Sequence, residues 1–438
     1  ADGMQIAGMD WCSCHPDPDL AGTGLRNRAG LQMQNLRRFA HRVGDDRPHG
    51  SHLPDASLHP SRFRLKRCGR PARTATMESV RAFACPVCHG FVPFESRRCP
   101  NCSAELGLYV PSRAMVATSS GAAVIDGQIW IACTRAASLG CNWLVPQEQE
   151  LGGERGRCLA DSLIRREPDA DDTVAVEKLV STGIALRRLV YQLIDIGLPV
   201  DPFWRKDGGL AFDLLSSYSG GERVVIGHAG GVITIDLVES LDAYRESLRV
   251  HLGEPYRTML GHFRHEVGHY YQNILVETDP GVARYLDECR EIFGDERADY
   301  QDEIARHYKF GAPADWRDFY ISEYATMHPW EDFAECFAHY LHITGTIDTA
   351  RESGMILHAD RVRFSVQEDV VPLLSYEDAP IERLLDDWKW LSLCFNRVNT
   401  AMGKNPLYPF DIPQAVVRKL AFVHKVIRET ARTSAAGH

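Results

Sequence analysis

No apolar run in this 438-residue chain approaches the ~20 residues that a membrane-spanning helix needs. The first residues also lack the apolar core of a secretion signal. No membrane partner is therefore expected, and the expected compartment is the cytoplasm. Positive charge is in deficit as well. The formal net charge is −10, which opposes binding to nucleic acid through a general electrostatic field. A glycine-rich phosphate loop and the Gly-x-Ser-x-Gly turn of serine hydrolases are both missing, which sets aside nucleotide-driven and serine-nucleophile chemistry.

Cysteine, by contrast, is plentiful and unevenly placed. The chain has thirteen cysteines, ten of them before residue 160 and several in CxxC spacing. In a chain with no export signal, such spacing reads as metal ligation and not as disulfides.

Residues 1–76 differ in kind from the remainder. They hold eleven Arg but one Lys, and seven Asp but no Glu. Two readings stand side by side: a disordered, Arg-rich extension, or an over-long reading frame whose start is Met77. The second is preferred, and no fold is expected here in either case.

Residues 81–165 form a cysteine-rich module. Cys85-Pro-Val-Cys88 and Cys99-Pro-Asn-Cys102 are two knuckles, each of which places two thiolates on one side of a tight turn. Two facing knuckles complete a tetrahedron with no open position, so a zinc held there is structural. Cys133, Cys141 and Cys158 follow, with Asp161 three residues after the last. This set is either a second structural zinc site of the Cys₃Asp kind, since zinc accepts carboxylate oxygen, or a degenerate site that holds metal weakly. Trp143 belongs in the core of the module.

A helical pattern starts at Asp171-Asp172-Thr173 and is ended by Gly197 and Pro199. Strand signals follow at Leu210–Leu215, Val224–Ile226 and Val232–Leu237, the last two flanking His228-Ala-Gly-Gly231 as a hairpin. The 232–236 segment is expected either at the cleft edge, pairing with an extended substrate, or inside the core. Further helices are expected at 254–277, 282–293, 296–310, from Pro329 onward, 376–399 and 412–428.

Within the first of these lies His265-Glu266-Val-Gly-His269. Positions i and i+4 of a helix share a face, so both imidazoles can reach one ion. Glu266 sits one step round the helix, where it can hold a water for that ion. His262, one turn earlier, reads as a satisfied rim histidine. Arg264 reads either as a clamp for a substrate carboxylate or as one half of a structural salt bridge. A catalytic zinc needs a third protein ligand and an open position. In Pro329-Trp-Glu-Asp-Phe-Ala-Glu335, Glu331 and Glu335 are one turn apart. Glu331 is the expected ligand, and Glu335 the acceptor that orients a ligating imidazole through its other ring nitrogen.

His262–Tyr271, Trp330–His342, Cys85–Leu106 and Leu407-Tyr-Pro-Phe410 together resemble the bacterial zinc-binding metallopeptidases that carry an N-terminal zinc ribbon, within the gluzincin group. The likeness runs from about residue 81 to about residue 430. It implies an α+β protein: a zinc-ribbon module, then a mostly helical zincin-like domain over 168–430 with a small β hairpin or sheet. The second-helix segment is similar to that of lethal-factor-type peptidases, in which the first Glu of an E-x-x-A-E element ligates zinc and a Tyr seven residues upstream faces the metal. The likeness supports Glu331 as ligand and makes Tyr324 the candidate that steadies the oxyanion. In that family a second CxxC stands where this chain has Cys158-Leu-Ala-Asp161.

The expected activity is hydrolysis of a protein or peptide substrate at zinc, with Glu266 as general base. Two rival readings are an adaptor with a vestigial zincin fold, and a protease of nucleic-acid-bound proteins that uses the ribbon as its DNA contact.

Overall fold

The computed structural model describes residues 83–217, 224–237, 258–277 and 283–436. The expectations for residues 1–76 lie outside them. The ribbon region begins with β1 (Phe83–Ala84) and β2 (Phe91–Val92), an antiparallel pair that closes over the first knuckle. The two knuckles share one hydrogen-bond pattern. Cys85 N–H donates to Gly90 O and His89 N–H to Cys85 O, while Cys99 N–H donates to Ala104 O and Ser103 N–H to Cys99 O. His89 and Ser103, equivalent in the two turns, both have left-handed backbones (φ 58° and 63°).

The antiparallel pair β3 (Leu106–Tyr109) and β4 (Ala114–Ala117) follows. Next comes the three-stranded sheet of β5 (Ala122–Ile125), β6 (Gln128–Ala132) and β7 (Leu144–Pro146). A short pair, β8 (Glu150–Leu151) and β9 (Glu154–Arg155), leads to α1 (Leu159–Ser162). Trp143 is buried in this module, as expected.

A four-stranded sheet of order β10-β11-β13-β12 links the ribbon to the helices that follow. It is made of β10 (Ile164–Arg166), β11 (Ala211–Leu215), β12 (Gly227–Ala229) and β13 (Val232–Asp236). The first two and β13 run parallel, and β12 pairs antiparallel with β13. The crossover between β10 and β11 is α2 (Thr173–Asp195), whose N-cap Asp172 accepts from Ala175 N–H. The hairpin is tighter than expected. Val224–Ile226 is not a strand, and β12 starts at Gly227, with Ala229 opposite Val232. Gly230 and Gly231 take positive φ (56° and 86°), which suits a two-residue loop whose twist matches the strands. β13 is therefore an inner strand, and among the described residues β12 and β10 lie at the two ends of the sheet.

The remainder is helical. α3 (Met259–Gln272) begins at N-cap Thr258, whose hydroxyl accepts from Gly261 N–H, and it relaxes into a π turn over Asn273–Glu277. The expected start near residue 254 lies outside the described residues. α4 (Ala283–Phe293) and α5 (Tyr300–Phe310) follow. α5 starts four residues later than the sequence suggests, because the Asp299 side chain caps Asp302 N–H. α6 (Pro329–Glu352) is buried round almost its whole girth, as suits a central helix. α7 (Ile381–Ala401) starts only after Pro380, not at Tyr376, since a proline forces the preceding residue out of helical geometry. α8 (Gln414–Ala436) runs eight residues past the expected end. No described helix is long and apolar enough to cross a membrane. The architecture is α+β, a helical zincin-like body preceded by a zinc ribbon.

Candidate metal centres

α3 is held against the sheet by Phe263, whose ring meets Phe212 of β11 edge-on at 5.4 Å. It is held against α6 by Tyr271, which stacks on Phe337 at 5.5 Å. α6 starts sharply. Pro329 occupies its first position, and the ring of N-cap His328 accepts from Trp330 N–H while donating to Ala298 O. That cap, which the sequence reading did not anticipate, sets Glu331 in the first turn.

The expected residues meet. The metal-binding atoms of His265, His269 and Glu331 lie within 4.8 Å of one another. His265 Nε2 is 3.0 Å from Glu331 Oε2 and 3.2 Å from His269 Nε2. His265 Nδ1 is 2.8 Å from Glu335 Oε1, which turns its Nε2 towards Glu331 and His269. Glu335 Oε2 in turn accepts from the Ser322 hydroxyl (2.6 Å), and Glu331 Oε1 from the Tyr300 hydroxyl (2.7 Å). Electron pairs converging on one point repel one another unless a cation sits among them. The titration of the group has the same sign. Burial alone would depress His265, but Glu331 and Glu335 outweigh it and hold the imidazole well above its usual value. Burial would raise Glu331, but His269 and His265 hold it well below the usual carboxylate range. A centre that favours a proton here also favours a metal ion. The donor set of two imidazoles and one carboxylate fits zinc with an open position.

Glu266 is buried beside them. Its Oε1 accepts from His262 Nε2 at 3.2 Å, whereas among the described residues nothing donates to its Oε2. Burial would push this carboxyl up, yet the hydrogen bond from His262 and the charge of the imidazoles bring it down to about 2. His262 is thus satisfied by Glu266. Tyr324 lies in a short 3₁₀ turn with its ring edge-on to His265 at 5.7 Å. Among the described residues, Arg264 of α3 reaches across to α2 and α6. Its guanidinium donates to Gln192 Oε1 and to His342 Nδ1. Tyr300, Ser322 and Gln192 carried no motif that would have marked them in sequence.

In the ribbon, Cys85, Cys88, Cys99 and Cys102 converge, with Cys85 Sγ 3.7 Å from Cys102 Sγ and Cys88 Sγ 3.6 Å from Cys99 Sγ. Cys85-Pro-Val-Cys88-His89 also spells a haem attachment sequence, although no such pair was expected in this chain. The four convergent sulfurs and an exposed His89 favour the metal knuckle. The Asn101 amide beside Cys88 brings its thiol down to about 6. Cys133, Cys141, Cys158 and Asp161 also converge, and all four are buried. Asp161 Oδ2 lies 3.3 Å from both Cys133 Sγ and Cys158 Sγ, and Asp161 Oδ1 takes Arg187 Nη1 at 3.2 Å. Hydrogen bonds from Cys141 and Cys158 hold the Cys133 thiol low, while burial pushes Cys141 and Cys158 well up. A fourth group of polar side chains, His358, Asp360 and Asp369, lies in a surface loop.

Comparison with known proteins decides the family. Residues 175–426 match the model described as "Putative zinc-binding metallo-peptidase". The chain belongs to this zinc-binding metallopeptidase family. Residues 82–172 match a zinc-ribbon domain model, and zinc is the metal of both matched families. An uncharacterized protein of Mycobacterium bovis and one of Mycobacterium tuberculosis are each 40% identical to this metallopeptidase-family chain over 363 residues, covering 80% of it and 96% of the relative. No solved structure matches the chain significantly.

Proposed function

We propose that this family member hydrolyses peptide bonds, with His265, His269 and Glu331 as zinc ligands and Glu266 as general base. The observation that carries the reading is the convergence of three metal-binding side chains beside a buried carboxylate whose Oε2 has no donor among the described residues. A zinc ion held by these ligands would supply the Lewis acid that polarises the scissile carbonyl and acidifies a water.

Glu266 takes the proton of the attacking water on Oε2 and passes it to the departing amide nitrogen, while His262 steadies Oε1. Tyr324 is the oxyanion donor. Its burial holds the phenol well above its usual value, so the hydroxyl keeps its proton and can donate. Tyr300 orients Glu331, and Glu335 with Ser322 orients His265. The two ribbon groups are structural zinc sites, Cys₄ and Cys₃Asp, with no open position for catalysis.

The substrate lies extended along β12 and not along β13, because β12 is outermost among the described strands on that side of the sheet and its His228 ring meets Tyr270 of α3 at 5.9 Å. A protein or peptide is favoured over nucleic-acid-bound targets, because the ribbon arginines are already engaged. Arg98 pairs with Glu105, Arg113 with Asp195, and Arg97 donates to Ala136 O.

The test combines zinc analysis with a peptide-library cleavage assay on the unaltered chain and on Glu266→Gln. The variant should keep its zinc and lose hydrolysis. Full activity in Glu266→Gln would overturn the assignment, and a zinc-loaded chain that cuts nothing would favour the adaptor reading.

A further inference from the structure

One helix, α2, is shared between the ribbon and the two helices that carry the catalytic ligands. On the ribbon side, Tyr191 packs edge-on against Phe83 and Phe94. Arg187, only 1% exposed, donates Nη1 to Asp161 Oδ1 and Nη2 to Leu139 O. Gln192, five residues on, points about 140° away round the helix axis and is also buried. Its Nε2 donates to Leu341 O of α6 (2.7 Å), and its Oε1 accepts from both Nε (3.1 Å) and Nη2 (2.7 Å) of Arg264 on α3. Arg264 Nη1 closes the set on His342 Nδ1 of α6 at 2.6 Å. Arg264 immediately precedes His265, and Leu341 and His342 belong to the helix that carries Glu331.

We infer that the Cys133–Cys141–Cys158–Asp161 group and the His265–His269–Glu331 group are coupled through α2, with Arg187 and Gln192 as positioning residues. The inference rests on the zinc reading of both groups. A metal held by the cysteines and Asp161 would fix the orientation of this carboxylate, and so the place where Oδ1 holds Arg187. Without the metal, three buried cysteines and a carboxylate lose their common partner, and the buried guanidinium is left on a loosened acceptor. A buried charge tolerates that poorly. The strain falls on α2, and Gln192 passes it to the crossing of α3 and α6, which sets the spacing of His265 and Glu331. Coupling of this kind is reciprocal: filling either site must tighten the other by one and the same factor.

The experiment uses the full chain, stripped by chelation and refilled with Co²⁺ alone. Thiolate-bound cobalt is distinguished from histidine–carboxylate cobalt by its charge-transfer bands. Arg187→Met should weaken cobalt at the histidine–glutamate site by about tenfold, within the usual range of coupling between sites, although it touches none of that site's ligands. Gln192→Leu should do the same while the thiolate bands persist, and Gln192→Glu, which keeps the acceptor for Arg264, should recover part of the loss. Asp161→Cys guards against simple misfolding. It keeps a four-ligand site but removes the partner of Arg187, so its thiolate bands should remain while histidine–glutamate affinity falls. Unchanged affinity at that site in both Arg187→Met and Asp161→Cys overturns the coupling. Cobalt that fills only thiolate sites in the unaltered chain overturns the peptidase reading itself, and the coupling with it.

Discussion

Gly268 and Ala334 are the point where the two ligand helices touch. A Cβ built on Gly268 would lie 2.8 Å from Ala334 Cα and 3.1 Å from Ala334 O. Gly268 adjoins His269, and Ala334 adjoins Glu335, so this close contact lies within one residue of groups at the candidate centre. Gly268→Ala must push the helices apart, since backbone cannot step aside as a flexible side chain would. The expected cost is ~1–3 kcal/mol of stability, with weaker metal binding, measured by urea unfolding and metal titration. Adding Ala334→Gly should not restore either, because the nearest atoms are backbone. A double variant that recovers both would show the contact to be softer than this.

The two tyrosines near the centre should separate cleanly. Tyr300 touches Glu331 Oε1, so Tyr300→Phe should lower zinc affinity about tenfold, the usual scale for losing a group that orients a ligand. Tyr324→Phe should leave zinc affinity unchanged and lower kcat by ~10²-fold, as removal of an oxyanion donor does. Competition with a fluorescent chelator reads the first effect and steady-state kinetics the second. An exchange of the two phenotypes would reverse their roles.

His228 contributes an acid limb to stability. Its Nε2 accepts from Gly231 N–H at 3.2 Å, and burial lowers it to about 4. Here the folded value lies below the unfolded value of ~6.5. The unfolded chain therefore binds the extra proton first, and stability falls as pH drops from about 6.5 to about 4, by ~3 kcal/mol. His228→Gln keeps an acceptor for Gly231 but does not titrate there. Urea unfolding at stepped pH should show a flatter limb for the variant, and an identical slope would refute the assignment.

Stripping the metal should occur in an order set by access. Cys102 is exposed and Cys88 half-buried, whereas Cys133, Cys141, Cys158 and Asp161 are all buried. With every site filled the chain carries one zinc in each of the three groups. A chelator should take the Cys₄ zinc well before the Cys₃Asp zinc, as followed by thiol reactivity at each cysteine. Equal rates would mean that burial does not guard the second group.

Much of the centre was legible from spacing alone. His265, Glu266 and His269 share a helix, where 3.6 residues per turn dictates who can reach a common ion, and each CxxC turn brings its two thiolates to one side by its own geometry. Glu331 and Glu335 could be chosen because they stand one turn apart behind a proline start. These are local relations, and a chain carries them wherever it folds. Tyr300, Ser322, Gln192 and the pairing of Arg187 with Asp161 depend on how separate helices cross, and no period in the sequence encodes a crossing. Whether Val232–Asp236 is an edge or an inner strand stayed open in the sequence for a similar reason, since which strand lies outermost depends on the partners that sheet order assigns. The sequence by itself determined which residues are the candidates for ligands and base. The tertiary structure alone decided what orients them, because those contacts exist only once Gly268 has let α3 settle against α6.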